Sequence, residues 1–290
     1  MTDYVSQILF KSLSFFVRLF PLKLVQRTAS FIGLIFFYVI PIRKKVALDN
    51  LNICFPEKDS HWKKDIVKKC YKNLFIDMFE FLYFPKLDET GTKSFVHFKN
   101  PDLMLKSLNA NKPVMLASGH FSNWELTAFA SPYFFNKELD IIAKKQASTG
   151  LNKLINRYRC LSGNNIIQTG SSLREVFTAV KPKSILTFLI DQSAHPDYSE
   201  YVYFFGKKVA TFAGLSKLAL RFDADIIFGY GIRNDDYSYD IYLEKINYDK
   251  QKDSSIDITQ RLQTSLEKVV SENPSQWLWF HKRFKHMRND

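Results

Sequence analysis

The chain has 290 residues, 46% of them hydrophobic, and 41 Lys and Arg against 29 Asp and Glu give it a formal charge of +12. That length supports one sizeable core, and the charge points to an anionic partner, either nucleic acid or anionic lipid. Three cysteines without a C-x-x-C spacing support neither a disulfide framework nor a zinc site, so a reducing compartment is the simpler expectation.

Two apolar stretches open the chain. Ile8 to Phe20 mixes Leu, Phe and Val with Lys11 and Arg18, and Ala29 to Ile40 is flanked by Lys23, Arg27, Arg43, Lys44 and Lys45. The second run is about a dozen residues long, short of the ~20 needed for a full span. The pair therefore reads as interfacial or part-embedded helices, with a buried core helix as the alternative. No small-residue cleavage site follows, which argues against secretion, and the basic flanks suit a cytoplasmic leaflet. The aromatic residues concentrate beside Leu and Ile in the first hundred positions rather than among lysines, which favours lipid over nucleic acid.

His61 to Tyr83 has helical periodicity. Candidate strands then alternate with helices. The strands are Val114 to Ala117, Leu139 to Ala143, Asn165 to Gln168, Ser184 to Ile190, Asp225 to Ile232 and Tyr239 to Ile246. Helices are expected over Leu151 to Tyr158, Ser172 to Val180 and Phe212 to Arg221. This is the pattern of an α/β domain with a mixed, largely parallel central sheet flanked by helices. The expected organisation is membrane-associating helices over residues 1–45 and one catalytic domain over 46–290.

The chemistry concentrates at Gly119-His120-Phe121-Ser122-Asn123-Trp124-Glu125, where a strand gives way to a helix. On one regular helix, residues five apart point about 140° away from each other. If His120 precedes the helix and Glu125 lies in its first turn, the two can meet, and a carboxylate on one ring nitrogen leaves the other free to take a proton. The competing explanation is a capping box, Ser122 at the N-cap and Glu125 at N3. Asp191 ends a strand-like run and is read either as a loop cap or as a catalytic group. Thr211 is placed to cap a helix starting at Phe212. Arg157 and Arg159 are either a solvated helix face or the forks that hold an anionic head group. His281 and His286 are expected to decorate a basic surface. No Gly-x-Ser-x-Gly elbow and no His-Glu-x-x-His occurs, which argues against a covalent serine intermediate and against a metal site.

Four stretches carry a resemblance. Ser118 to Glu125 resembles the His-x4-Asp/Glu signature of the lysophospholipid acyltransferase superfamily, in the form used by the secondary (late) acyltransferases of lipid A biosynthesis. Asn50-Leu51-Asn52-Ile53-Cys54-Phe55-Pro56-Glu57 is similar to that family's Asn-Leu-x-x-Cys-Phe-Pro-Glu segment. Asp191-Gln192 and Phe204 to Thr211 resemble its Asp-Gln and Phe-Phe-Gly-x-x-Ala-Thr block, and Pro274 to Lys285 resembles its tail. Ser122 stands where many members have Gly. The resemblance implies the glycerolipid acyltransferase-like fold and transfer of a fatty acyl chain from acyl-acyl carrier protein to a hydroxyl of an anionic lipid A precursor. It also implies His120 and Glu125 as catalytic residues and Arg157 and Arg159 as contacts to the anionic head group; Asn123, Asp191 and Thr211 complete the expected substrate-binding residues. Neither cofactor nor metal is implied, the expected partners include a membrane and no nucleic acid, and the expected location is the cytoplasmic face of the bacterial inner membrane. Acylation of another lipid, or a catalytically silent membrane-binding protein of the same fold, are the rival readings.

Overall fold

The computed structural model describes residues 2–170 and 173–288. The two apolar stretches form α1 (Thr2–Arg18) and α2 (Leu22–Val39), followed by α3 (Lys44–Cys54) and the long α4 (Ser60–Tyr83). α2 is the one helix among the described residues long and apolar enough to cross a membrane, and about a third of it is buried. Its buried stripe includes Val25, Ala29, Gly33 and Phe37. Gly33 is needed there because a Cβ would stand 2.7 Å from the Tyr71 carbonyl oxygen on α4. The outward faces of α1 and α2 leave Leu9, Phe15, Phe16, Phe31, Ile35, Tyr38 and Val39 exposed. An apolar cavity of about 310 Å³ opens between these helices and Phe79, lined by Leu13, Phe16, Val17, Phe20, Leu24, Val25 and Thr28.

The sheet is built from β1 (Val96–Phe98), β2 (Val114–Ser118), β3 (Leu139–Ala143), β4 (Asn165–Gln168), β5 (Ile185–Leu189), β8 (Asp225–Arg233) and β9 (Tyr239–Ile246). Their order is β1-β9-β8-β2-β5-β3-β4. All neighbours are parallel except β8 and β9, which are antiparallel, so the sheet is mixed and largely parallel as the pattern of elements implies. The six strands read from the sequence match these bounds to within a residue at either end, and β1 is not among them.

β2 lies between β5 and β8 and is buried on both faces, because pleating sends alternate side chains into different cores. Met115 and Ala117 join a core with Leu51, Tyr71, Leu266 and Trp279, whereas Val114 and Leu116 join Met104, Leu108 and Phe135 on the opposite face. Burying each Val, Leu, Met or Phe side chain among them contributes about 1.5–3 kcal/mol. The second face is covered by α6 (Asp102–Asn109) and α7 (Trp124–Phe135). Elsewhere around the sheet lie α5 (Glu89–Lys93), α8 (Thr149–Arg159), α9 (Leu173–Ala179), α10 (Gly214–Phe222) and α11 (Ser255–Glu272). The expected start of α9 at Ser172 lies outside the described residues.

A two-stranded hairpin, β6 (Glu200–Phe204) with β7 (Lys207–Thr211), stands apart from the sheet. Its turn, Phe205-Gly206, has positive φ at both positions (49° and 67°), the geometry that follows the strand twist.

Candidate active site

β2 and β5 run parallel in a register that sets Ser118 opposite Leu189. His120 and Asp191 each lie two residues further on, so the sheet itself delivers them to the same place at its carboxyl edge. There His120 Nδ1 and Asp191 Oδ1 are 2.7 Å apart, and the His120 backbone N–H donates to Asp191 Oδ2 at 2.7 Å. Gly119 permits this approach, since a Cβ there would lie 3.3 Å from Asp191 Oδ2 and 2.9 Å from Leu266 Cδ1. The indole N–H of Trp277 donates to the same Oδ2 at 2.8 Å.

With a carboxylate on Nδ1, the neutral ring keeps its proton there and exposes a lone pair on Nε2. The side-chain amide of Gln192 lies 3.2 Å from that nitrogen, in position to donate to it. Burial works against charge on His120, but the charge and hydrogen bond of Asp191 outweigh it, and the ring sits above its ordinary pKa. Burial likewise opposes ionisation of Asp191, and the His120 charge and the bonds from His120 and Trp277 hold its carboxyl down at about 2.

The sequence reading gives Glu125 the place beside His120, and here the structure differs. Glu125 is in the first turn of α7, as expected, but its carboxylate faces α8: Arg159 donates through Nε to Oε2 at 2.9 Å and through Nη2 to Oε1 at 2.5 Å. A guanidinium fork pre-shaped for a carboxylate holds it there. Glu125 still acts on His120 through space, favouring the charged ring, and Arg159 partly cancels that effect. Arg157, two residues away, is exposed.

The capping box is also revised. The N-cap of α7 is Asn123, which accepts from the Leu126 N–H at 2.9 Å, so neither Ser122 nor Glu125 caps the helix. Ser122 instead takes φ of +50°, a left-handed conformation that glycine tolerates without cost and other residues adopt with strain. Its N–H donates to the Gln276 carbonyl at 2.6 Å. Asn123 is buried and donates to Glu80 Oε2 at 2.6 Å. Glu80 also accepts from Gln26 on α2 and from the Tyr239 hydroxyl.

Thr211 is not a helix cap: α10 begins at Gly214 with Ala213 before it, and Thr211 ends β7, where its hydroxyl accepts from Arg283 Nη2 at 2.7 Å. Arg283 is buried, donates to the Ala210 carbonyl and Gln263, and is pulled down to about 10 by burial, against the opposing charge of Asp191.

The C-terminal segment is the part whose role the sequence reading missed. Trp277, Trp279 and Phe280 are buried. Leu278 N–H donates to the His120 carbonyl at 3.0 Å, and Gln276 bonds both the N–H and the carbonyl of Arg233. Asn50 donates to the carbonyls of Trp279 and His281, both at 2.7 Å, which ties the first resembling stretch to the last. The signal was present in those stretches; their mutual contact across more than two hundred residues was not. Among the described residues no His, Cys, Asp and Glu grouping could hold a metal ion.

A His–Asp pair at the carboxyl edge of a mostly parallel sheet, with one imidazole nitrogen bonded to the acid and the other presenting a lone pair, is suited to taking a proton from a hydroxyl; the chain is an enzyme, an acyltransferase. It belongs to the family described as Bacterial lipid A biosynthesis acyltransferase, whose model matches residues 1–286. Among curated proteins it is similar to the Lipid A biosynthesis palmitoleoyltransferase of Escherichia coli (strain K12), 21% identical over 251 residues that cover 84% of this chain and 79% of the relative. The Lipid A biosynthesis acyltransferase of Shigella flexneri is similar at the same identity and coverage.

Proposed function

We propose that the chain transfers a fatty acyl group from acyl-acyl carrier protein to a hydroxyl of a lipid A precursor, on the cytoplasmic face of the bacterial inner membrane. The family supports the acceptor class, and the observation that carries the mechanism is the 2.7 Å contact between His120 Nδ1 and Asp191. The acceptor hydroxyl displaces the Gln192 amide at Nε2. Its proton passes to that nitrogen as the oxygen attacks the thioester carbonyl, and the thiolate leaves. A thiol with pKa near ~8.5 needs little protonation to depart. Asp191 orients the ring and balances the imidazolium, while Glu125, held by Arg159, adds a second negative charge nearby. Cys54 and Cys70 are poor nucleophiles because burial pushes both thiols up, which favours direct transfer over an acyl-enzyme. The test is mass spectrometry of the purified protein's products: a lipid A precursor should gain one acyl chain from acyl-acyl carrier protein. Preferential acylation of a lysophospholipid would sink the proposed acceptor.

Arg157 is the remaining candidate for the acceptor's head group, because it is exposed while Arg159 is committed to Glu125. Arg157→Ala is expected to raise the acceptor KM severalfold with kcat unchanged, since binding shared by ground and transition states shows only in KM. A fall in kcat alone would place it at the reacting atoms instead.

Membrane binding rests on the exposed apolar faces of α1 and α2. The division at residue 45 is one of role, since α2 also packs into the core. Phe31 and Tyr38 are 62% and 69% exposed on α2. Phe31→Glu/Tyr38→Glu should leave the fold intact and cut vesicle partitioning by about 10²-fold or more, at ~1.5–3 kcal/mol per apolar side chain withdrawn from lipid. Vesicle flotation of the double variant at the level of the unaltered protein would show that this face does not meet the bilayer.

A further inference from the structure

The C-terminal segment that braces His120 continues into His281, Lys282, Lys285 and His286, and these residues form one wall of a cavity of about 360 Å³. Arg43, at the start of α3, and Ser193, Ala194 and His195, which follow Gln192, complete it, with Asp197 3.4 Å from His195 Nδ1 outside the lining. Its shape is fixed from below. Asn50 holds the carbonyl of His281, Arg43 Nη1 donates to the Phe280 carbonyl at 3.2 Å, and His281 Nε2 accepts from the Ser193 N–H at 3.2 Å. That last bond leaves the neutral His281 ring with its proton on Nδ1, as a donor.

Three fixed positive charges, Arg43, Lys282 and Lys285, line this cavity, and among the described residues no carboxylate does. Like charges gathered without counter-charge repel one another, and an anion relieves that repulsion. The volume falls within the range of small-ligand sites. The position is equally specific. Gln192 bonds the reacting nitrogen of His120, and Ser193, the next residue, bonds His281, so the cavity begins one residue from the reaction centre.

We propose that this cavity binds a phosphate group carried by one of the two substrates and thereby sets that substrate beside His120. The assignment rests on the acyl-transfer reading for its purpose, though not for its test. A guanidinium fork, two ammonium groups and imidazole N–H donors are the set that recognises phosphate oxygens. Two phosphates are available to it: one on the acceptor glycolipid, and the phosphodiester that joins a carrier protein to its thiol-bearing arm.

The first arm of the experiment uses inorganic phosphate with the full-length protein and follows histidine side-chain signals by NMR. Saturable shifts are expected at His281 and His286, with none at His97 on β1. In Lys282→Gln/Lys285→Gln, both positions being exposed, the affinity should fall about three- to tenfold. Absence of a saturable shift, or an equal one in the variant, overturns the proposal while leaving the acyl-transfer reading untouched. The second arm measures both KM values in the same variant. A rise for the acceptor alone assigns the glycolipid phosphate, a rise for the donor alone assigns the carrier's phosphodiester, and no change in either overturns the proposal.

Discussion

His120→Ala protein is expected to fold and to lose transfer by at least the ~10²–10⁴-fold typical of a missing general base. Asp191→Asn should fall in the same range, because an amide beside Nδ1 can donate to it and so hold the proton on Nε2, where the hydroxyl must react. The pH dependence separates Asp191 from Glu125. Activity needs neutral His120, whose pKa is raised in the folded protein, so kcat/KM should climb with pH through an inflection above the ordinary value of about 6.5. In Asp191→Asn the burial effect is left largely unopposed, and the inflection should move down as the plateau falls. The same linkage acts on stability. The raised His120 contributes stability that is complete below its unfolded pKa and is lost as pH climbs through the folded value. The depressed Asp191 contributes stability present above its unfolded value and lost as pH falls towards about 2. An inflection that shifts in Glu125→Gln but stays fixed in Asp191→Asn would return the primary role to Glu125.

The largest stability effect is expected at Arg233, buried at the end of β8. Its Nε donates to the Tyr239 hydroxyl at 2.6 Å, Nη1 donates to Asn73 at 2.8 Å, and Nη2 pairs with Asp77 and lies 3.9 Å from Glu80. Removing the cation leaves the buried Glu80 and the largely buried Asp77 without their shared counter-charge. Arg233→Ala should therefore cost about 3–5 kcal/mol, read as a lowered urea midpoint. A loss below ~1 kcal/mol would mean that the carboxyls neutralise themselves by taking protons, and the network would then be an accessory to packing.

Much of the sheet was legible because its strands are apolar runs bounded by turn residues and separated by amphipathic helices. β3, β4 and β9 match the sequence reading residue for residue. β1 has three residues, too few to show a period, and the β6–β7 hairpin lies where the sequence was read for motif rather than for strand. α11 carried a readable signal, Ser254 with Asp257 three residues on, which the structure realises as a capping box. The position of His120 at the end of a strand was legible, but its pairing with Asp191 was not. Glu125 is near His120 in the chain, whereas Asp191 is 71 residues away and becomes its neighbour only through the β2–β5 register. Trp277, Trp279 and Phe280 would suit a membrane interface by composition, and only tertiary packing shows that they are buried beside the His120 loop.

The chain of contacts from Gln26 through Glu80 to Asn123 bears on how the protein can be handled at the bench. Gln26 belongs to the apolar helix α2, and Asn123 caps the helix immediately after the histidine loop. A chain trimmed at residue 45 to make it soluble would lose a partner for the buried Glu80 and would strip Val25, Ala29 and Phe37 from the interior. Such a fragment is expected to be inactive even in detergent with soluble substrates, and the result would speak to lost support beneath the histidine loop rather than to a missing anchor.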